Sequence, residues 1–179
     1  MKLLVFSDSH GRTEPMASIL AAHADTADAV LHLGDGAAEV LTLRARYPGL
    51  PFYAVMGNCD SASYSDFGIT DDRLLTVGDH TLYFCHGDRF GVGGGTAALA
   101  AYAAYRGADI VLFGHTHVAQ EVYLPDGADA KHPRPMFILS PGSVSRPRDS
   151  TQPSFGILDI TERGVLFSVG RVGDTRTCI

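Results

Sequence analysis

Short apolar runs alternate with amphipathic stretches along the early part of the chain. A run of four or five mostly apolar residues predicts a buried strand, whereas apolar positions spaced three and four apart predict a helix. Strands that alternate with helices favour parallel pairing in an α/β sheet. The pattern predicts strands at 3–6, 29–33 and 52–56 and helices at 14–24 and 37–47.

The later part of the chain has a different pattern, in which strands follow one another closely. Residues 78–80 separate two apolar runs and predict a hairpin turn between strands 74–77 and 81–85. An alanine-rich stretch predicts a helix at 96–106. Further strands are predicted at 110–113, 120–124, 136–139, 154–160 and 165–169. The whole pattern predicts a single α/β domain over residues 1–179, with two packed sheets and helices outside them.

Five of the apolar runs end in polar residues of the kinds that bind metal ions. The carboxyl ends of strands in open α/β sheets meet at one edge, where binding sites form. Aspartate, histidine and asparagine delivered by five strands would therefore build one pocket. The clusters are Asp8-Ser9-His10, Gly34-Asp35, Gly57-Asn58-Cys59-Asp60, His86-Gly87-Asp88 and Gly114-His115-Thr116-His117.

Each cluster alone is weak evidence, because Asp-x-His and His-x-His sequences arise by chance at this composition. Taken one at a time, these residues also have purely structural explanations, as a helix cap, a turn residue or a core residue. This applies to Asp8, Asp35, Asn58, His86, His115 and His117. The order and placement of all five clusters favour a shared site instead. His32 lies inside a predicted strand without such neighbours, so we interpret it as structural.

Composition and charge narrow the classes of function. The net charge of −6 disfavours sequence-specific nucleic-acid binding, since phosphate backbones bind basic faces. Three cysteines without a Cys-x-x-Cys pair favour a reducing compartment over a disulfide framework. The apolar segment 3–6 is too short for a signal peptide, and no run has the length of a membrane span. We therefore expect a cytoplasmic protein without a membrane partner.

The chemistry of the clusters narrows the choice of metal. Carboxylate, imidazole and amide ligands without a thiolate pair suit transition metals rather than a structural zinc knot. Manganese is the first expectation, and iron, nickel, cobalt or zinc are the alternatives. Two cations about 3.5–4 Å apart need a ligand that bridges them, and a carboxylate has two oxygens for that role.

The series of motifs resembles the calcineurin-like metallophosphoesterases. The short length and the sequence Gly57-Asn58-Cys59-Asp60 resemble the small bacterial and archaeal phosphodiesterase branch, as does Pro141-Gly142-Ser143 followed by Arg146-Pro147-Arg148. The resemblance implies a four-layer α/β/β/α sandwich of two mixed sheets flanked by helices. It also implies hydrolysis of a small phosphoester, preferably a diester, by in-line attack of a hydroxide that bridges two divalent metals.

The resemblance assigns a role to each candidate ligand. It implies that Asp8, His10 and His117 hold the first metal, that Asn58, His86 and His115 hold the second, and that Asp35 bridges them. Asp35, Asn58 and His86 are the candidate catalytic residues. Candidates for substrate binding are Arg12, Cys59 and Asp60.

One position departs from many larger relatives, which carry a histidine after the Gly-Asn pair. Cys59 stands there, and a thiol is a poorer general acid at neutral pH than an imidazole. This difference favours diesters or activated esters as substrates. Asp60 has a second interpretation, in which it orients a neighbouring ligand. The glycine-rich segment 91–95 lacks a Walker lysine and is expected to form a loop at the rim of the site.

Other functions remain as alternatives. The alternatives to a phosphodiesterase are a phosphomonoesterase and a non-catalytic binding module on the same scaffold, as one retromer subunit is. A cysteine-based phosphatase needs an arginine six positions after its cysteine, but Ser65 and Gly91 occupy those positions after Cys59 and Cys85, and Cys178 is at the terminus. Exposed sheet edges would suit a homodimer or a higher homo-oligomer.

Overall fold

The computed structural model describes residues 1–173 and contains two five-stranded sheets. Three α-helices flank them: α1 (Glu14–His23), α2 (Ala37–Arg46) and α3 (Ala97–Tyr105). The strands of the first sheet are β1 (Lys2–Phe6), β2 (Ala29–His32), β3 (Phe52–Ala54), β9 (Ser154–Thr161) and β10 (Gly164–Arg171). The strands of the second sheet are β4 (Asp72–Val77), β5 (His80–Cys85), β6 (Ile110–Phe113), β7 (Ala119–Leu124) and β8 (Met136–Pro141).

Each sheet combines three parallel strands with antiparallel strands, which lie at one edge of the first sheet and at both edges of the second. The first has the order β10-β9-β1-β2-β3, in which β1, β2 and β3 run parallel. The second has the order β4-β5-β6-β8-β7, in which β5, β6 and β8 run parallel. The parallel strands direct their carboxyl ends to one edge of each sheet, and this arrangement concentrates the following loops there.

Three apolar layers hold the four structural layers together. The two sheets face each other across a core that includes Leu31, Phe84 and Leu112, none of which is exposed. Helices α1 and α2 cover the outer face of the first sheet. Helix α3 packs Leu99 and Ala103 against the outer face of the second sheet. Burial of one large aliphatic or aromatic side chain contributes about 1.5–3 kcal/mol, so the central layer carries much of the stability.

The four-layer α/β/β/α architecture and the mixed character of both sheets are confirmed. Predicted helix ends differ from the observed ends by a residue, as expected where helices fray. His80 was predicted in the hairpin turn, but it begins β5 and pairs with Val77. Short 3-10 turns at Ala62–Phe67, Asp88–Phe90 and Val92–Gly94 were not predicted. Cys178 lies outside the described residues, and none of the described helices has the length and apolarity needed to cross a membrane.

Candidate metal centre

The loops at the carboxyl ends of five parallel strands bring the seven predicted ligands together. Each loop follows a strand whose last residue is buried, so the sheet fixes the point from which the loop starts. The ligands are Asp8 and His10 after β1, Asp35 after β2, Asn58 after β3, His86 after β5, and His115 and His117 after β6.

Three of these residues form a first group: Asp8, His10 and His117. The Asp8 Oδ1 atom lies 3.2 Å from His117 Nε2 and 3.8 Å from His10 Nε2. The two imidazole Nε2 atoms are 3.2 Å apart. One carboxylate oxygen and two ring nitrogens therefore converge on a volume small enough to be shared by one cation.

Asn58, His86 and His115 form a second group. The Asn58 Oδ1 atom lies 3.1 Å from both His86 Nε2 and His115 Nδ1. The two ring nitrogens are 3.3 Å apart. This group offers one amide oxygen and two imidazole nitrogens, which form a second convergent set of donors.

Asp35 lies between the two groups. Its Oδ2 atom is 3.7 Å from His10 Nε2 in the first group and 3.5 Å from His86 Nε2 in the second. The Oδ1 atom accepts a hydrogen bond of 2.8 Å from the backbone N–H of Cys59. Gly57 lies against this carboxylate, and a Cβ atom there would collide with Asp35 Oδ1. The glycine is therefore required for the close approach of the two loops.

Unusual backbone conformations are concentrated in the ligand set. Within residues 1–173, six non-glycine residues have a positive φ, and five of them are ligand candidates. The sixth is Ser150. The five are Asp8 (56°), His10 (46°), Asp35 (57°), His115 (68°) and His117 (60°). A non-glycine residue in this region costs free energy, and such residues persist where the surrounding structure holds them for a function.

The hydrogen bonds of two imidazoles fix which ring nitrogen faces the centre. His86 Nδ1 lies 2.8 Å from the carbonyl oxygen of Leu33, and His117 Nδ1 lies 2.6 Å from that of Arg146. A carbonyl oxygen only accepts, so Nδ1 of each ring donates, and Nε2 of the neutral ring presents a lone pair to the centre. This arrangement is the usual one for histidine ligands of transition metals, and the donor set fits such ions.

The carboxylate of Asp8 is also prepared for a cation. It is fully buried, and its Oδ1 atom makes no hydrogen bond within residues 1–173 despite its closeness to His117. Burial alone raises the pKa of Asp8, but interactions with His117, His86 and Ser7 outweigh it and hold the pKa below its usual value. A buried, ionised oxygen without a hydrogen bond is a strong candidate for a metal ligand.

The groups around His117 and His115 shift their pKa values in opposite directions. The carboxylate of Asp8, whose Oδ1 atom lies 3.2 Å from His117 Nε2, raises the pKa of His117 above its ordinary value. Burial, followed by the nearby charge of His86, lowers the pKa of His115. A proton and a metal ion compete for the same nitrogen, so acidification opposes metal binding more strongly at His117 than at His115.

A buried glutamate supports the loop of the first group. Glu39 on α2 is only 6% exposed, and its Oε1 atom accepts hydrogen bonds from Gly11 N at 2.6 Å and Ser9 Oγ at 2.8 Å. Ser9 Oγ also lies 3.2 Å from His32 Nε2, so His32 belongs to this network and not to the ligand set. Sequence reasoning missed Glu39, because an acid in the first turn of a helix is usually explained by the helix dipole.

Asp60 connects the loops that carry Asp35 and Asn58. Its carboxylate accepts hydrogen bonds from four backbone N–H groups, which belong to Asp35, Gly36, Ala37 and Gly57 at 2.8–3.1 Å. These bonds occupy both oxygens. Of the two interpretations of Asp60, the geometry therefore favours orientation of the neighbouring ligands over contact with a substrate.

The two other candidates for substrate binding differ in position. Cys59 borders a cavity together with His10 and Asp35, and its hydrogen bond with Asp35, followed by burial, raises the pKa of the thiol to about 11. Arg12 is exposed before α1, where its backbone N–H bonds to Ser9, and it does not border that cavity. Its role in substrate binding stays a prediction.

Two open cavities border different members of the ligand set. The first, which we name the acidic cavity, has a volume of about 410 Å³ and is bordered by His10, Asp35, Glu39, Cys59, Asp60 and Arg146, among others. The second, which we name the basic cavity, has a volume of about 440 Å³ and is bordered by Gly93, Gly95, His115, Thr116, Gln120 and Arg148, among others. The glycine-rich segment 91–95 thus borders the site, as predicted.

Comparison with known proteins assigns the family. The calcineurin-like phosphoesterase superfamily domain matches residues 1–163, so the chain belongs to this family of metallophosphoesterases. A relative described as the probable metallophosphoesterase YsnB of Bacillus subtilis (strain 168) is 34% identical over 161 residues. The match covers 89% of this chain and 85% of the relative. Membership in the family implies a phosphoester hydrolase that depends on divalent metal ions.

Solved structures share the fold. A conserved protein of Streptococcus pneumoniae TIGR4, described as a predicted phosphoesterase, superimposes with a TM-score of 0.74 at 23% identity, over 97% of this chain and 93% of that one. Vps29 from Entamoeba histolytica, in a single-mutant form, gives a TM-score of 0.69 at 20% identity, over 95% of this chain and 98% of that one. The likeness extends across most of the described residues, but at these identities it concerns the fold alone.

Proposed function

We propose that the chain is a phosphodiesterase that uses two divalent transition-metal ions, with manganese as the first expectation. The observation that carries the proposal is the position of Asp35, whose Oδ2 atom lies 3.7 Å from a nitrogen of the first group and 3.5 Å from one of the second. A carboxylate in that position suits a bridge between two cations.

The two cavities support a diester over a monoester. A monoester has one substituent besides its phosphoryl oxygens, whereas a diester has two. The acidic cavity reaches the centre at His10 and Asp35, and the basic cavity reaches it at His115. A phosphoryl group at the centre would therefore have room for one substituent in each cavity.

The residues of the chain have separate tasks in this proposal. Bound divalent cations supply an activated water for in-line attack and neutralise charge on the phosphoryl oxygens. Asp8, His10 and His117 would hold one cation, Asn58, His86 and His115 would hold the other, and Asp35 would serve both. The Leu33 and Arg146 carbonyl oxygens keep the His86 and His117 rings oriented. Before cations bind, Cys59 is a neutral thiol at physiological pH, because its interaction with Asp35, followed by burial, raises its pKa to about 11.

The test is hydrolysis of bis(p-nitrophenyl) phosphate by protein loaded with Mn²⁺, with p-nitrophenyl phosphate as the monoester comparison. We expect the diester to have the higher kcat/KM. Asp35→Asn keeps the size of the side chain but removes its charge, so we expect it to lose both activity and the second equivalent of bound metal. The loss of activity should exceed the roughly 10–100-fold typical of residues that only support a ligand.

Three results would count against the proposal. Binding of metal without turnover of any phosphoester would favour the non-catalytic alternative. A higher kcat/KM for the monoester would favour a phosphomonoesterase. Full metal content and activity in Asp35→Asn would reject the bridging role. The matched control is Asp159→Asn on β9, because Asp159 lies outside the ligand loops and should leave metal content and turnover unchanged.

A further inference from the structure

We infer that the basic cavity selects diesters in which one substituent carries a negative charge, and that Arg148 is the residue that recognises this charge. The inference rests on the proposed phosphodiesterase function and names the class of substrate. It concerns only the substituent that lies beside His115, not the phosphoryl group that lies between the metal ligands.

The two cavities differ in the charges that border them. Three carboxylates, those of Asp35, Glu39 and Asp60, border the acidic cavity together with Arg146. Among the described residues, no carboxylate borders the basic cavity, where Arg148 is the charged side chain. An anionic group thus meets an unopposed positive charge in the basic cavity and a net negative border in the acidic one.

The backbone places one arginine at each cavity. His117 Nδ1 donates to the carbonyl oxygen of Arg146 at 2.6 Å, and Arg148 N donates to the carbonyl oxygen of His117 at 3.3 Å. Ser143 Oγ accepts a hydrogen bond of 2.7 Å from Arg146 N and donates to Asp8 O at 2.8 Å, which fixes the start of this segment. The segment 146–148 is therefore bound to both ends of the first ligand group.

The guanidinium of Arg148 is available for a ligand. It forms no ion pair and no side-chain hydrogen bond with any residue in the range 1–173, and Arg148 is exposed. By contrast, the side chains of Arg89 and Arg171 bond to Asp71 and Thr151, respectively. Gln120 and Thr116 border the same cavity and add polar groups that suit the oxygens of a carboxylate or a second phosphate.

The backbone of the cavity also accommodates a bulky polar group. Gly93 and Gly95 form one wall, and a Cβ atom added at either residue would meet nothing within 4 Å, so the wall is open. The volume of about 440 Å³ is sufficient for a substituent of the size of a small organic acid or a sugar phosphate.

The experiment uses three p-nitrophenyl phosphodiesters that differ only in the retained substituent: 2-carboxyethyl (anionic), methyl (neutral) and choline (cationic). The leaving group is the same in all three, so differences report recognition of the substituent. For the wild-type protein we expect kcat/KM to decrease in that order, with about tenfold between the first and the last, mainly through KM. The preference should weaken as ionic strength rises, because the cavity is open to solvent.

Variants of Arg148 assign the effect to one residue. Arg148→Ala should lower kcat/KM for the anionic diester about five- to tenfold and change that for the methyl diester less than twofold. Arg148→Lys should keep part of the preference, and Arg148→Glu should reverse it in favour of the choline diester. Arg163→Ala, in the exposed turn between β9 and β10, is the matched control and should change none of the three.

A binding measurement separates this inference from the proposed function. Titration calorimetry on metal-loaded protein compares 2-carboxyethylphosphonate with propylphosphonate, and we expect the former to bind more tightly in the wild type but not in Arg148→Ala. Equal binding of both, or equal kcat/KM for all three diesters, would overturn the inference while leaving a phosphodiesterase intact. Absence of any turnover would overturn the proposed function, and the binding result would still decide the role of Arg148.

Discussion

The two ligand groups differ in how firmly the protein holds them. All three members of the first group, Asp8, His10 and His117, have a left-handed backbone, and Asp8 is fully buried. In the second group only His115 has that conformation, and Asn58 is exposed. The side chain of Asn58 has one further contact, a hydrogen bond of 3.4 Å from Nδ2 to Cys59 Sγ.

Additional hydrogen bonds strengthen the contrast. The carbonyl oxygen of Asp8 accepts from Ser143 Oγ and from Ser145 Oγ, both at 2.8 Å, and Glu39 holds the next loop residues. The second group depends on the loop connection made by Asp60. The first group is therefore preorganised throughout, whereas the second combines a buried member, His86, with Asn58, which is open to solvent. We therefore expect the second metal to exchange faster, and a phosphoester to approach from that side.

The largest expected effect comes from removing Asp60, which connects the loop of Asp35 to the loop of Asn58 in the second group. Asp60→Ala leaves four backbone N–H groups without their acceptor, and three of these belong to consecutive residues from Asp35 to Ala37. Because an unpaired buried donor costs about 1–3 kcal/mol, and water satisfies some of the four, we expect a loss of about 3 kcal/mol in the free energy of unfolding. Urea denaturation of the metal-free protein measures it.

The metal content of Asp60→Ala tests whether the two ligand groups release their metals independently. We expect dialysis against a chelator to remove the second metal from the variant well before the first, as measured by elemental analysis. Asp60→Asn keeps one acceptor oxygen and should lose less stability than the alanine variant. Loss of both metals at the same rate would contradict the independence of the two groups.

A smaller effect is expected at Glu39, which supports the first group. Glu39→Ala removes the acceptor of Gly11 N and Ser9 Oγ, so we expect a loss of about 2 kcal/mol in stability and faster release of the first metal. Glu39→Gln keeps Oε1 as an acceptor and is the matched control. Stopped-flow release of Co²⁺ to a chelator measures the rates. Unchanged release of the first metal in Glu39→Ala would show that the left-handed loop is held without it.

The sequence predicts most of the fold because strands that are buried on both faces appear in it as continuous apolar runs. The runs that became β1 and β6 are continuous apolar segments, and each is fully buried over its last four residues. The 3-10 turn Ala62–Phe67 has no such signal, since none of its residues is buried. Its conformation depends on capping by Ser61 and on the left-handed Gly68, which are local features shared by many loops.

The candidate ligands were also predictable, but their supports were predictable only in part. Asp, His and Asn directly after apolar runs are visible in the sequence, and parallel strands bring them to one edge. Glu39 acts on backbone groups of another loop, and no sequence pattern specifies a partner that distant. For Asp60 the sequence offered orientation of a neighbouring ligand as one of two interpretations, but it did not specify which N–H groups the carboxylate accepts from. Nor did it specify the surroundings of Arg148, whose cavity is assembled from the glycine-rich segment and the loop after β6.

The smallest effect concerns Cys59, at the open side of the second group. Its hydrogen bond with Asp35, then burial and the charges of Asp35 and Asp60, raise the pKa of the thiol to about 11. A raised pKa keeps the thiol protonated, and the thiolate is the form that reacts with iodoacetamide. A pKa about two units above its ordinary value leaves about 100-fold less thiolate at pH 8. Alkylation of Cys59 in the native, metal-free protein should therefore be about 100-fold slower than in urea.

Mass spectrometry of the separate peptides measures this rate for each cysteine. The rate at Cys59 should increase tenfold per pH unit up to about pH 11, whereas Cys85, which is buried and has its pKa raised to about 12, should stay unreactive in the native protein. Asp35→Asn removes the main cause and should bring the reactivity of Cys59 close to that in urea. Rapid alkylation of native Cys59 at pH 8 would mean that the thiol does not sense Asp35. The position of Cys59 would then lie outside the electrostatic influence of the Asp35 carboxylate.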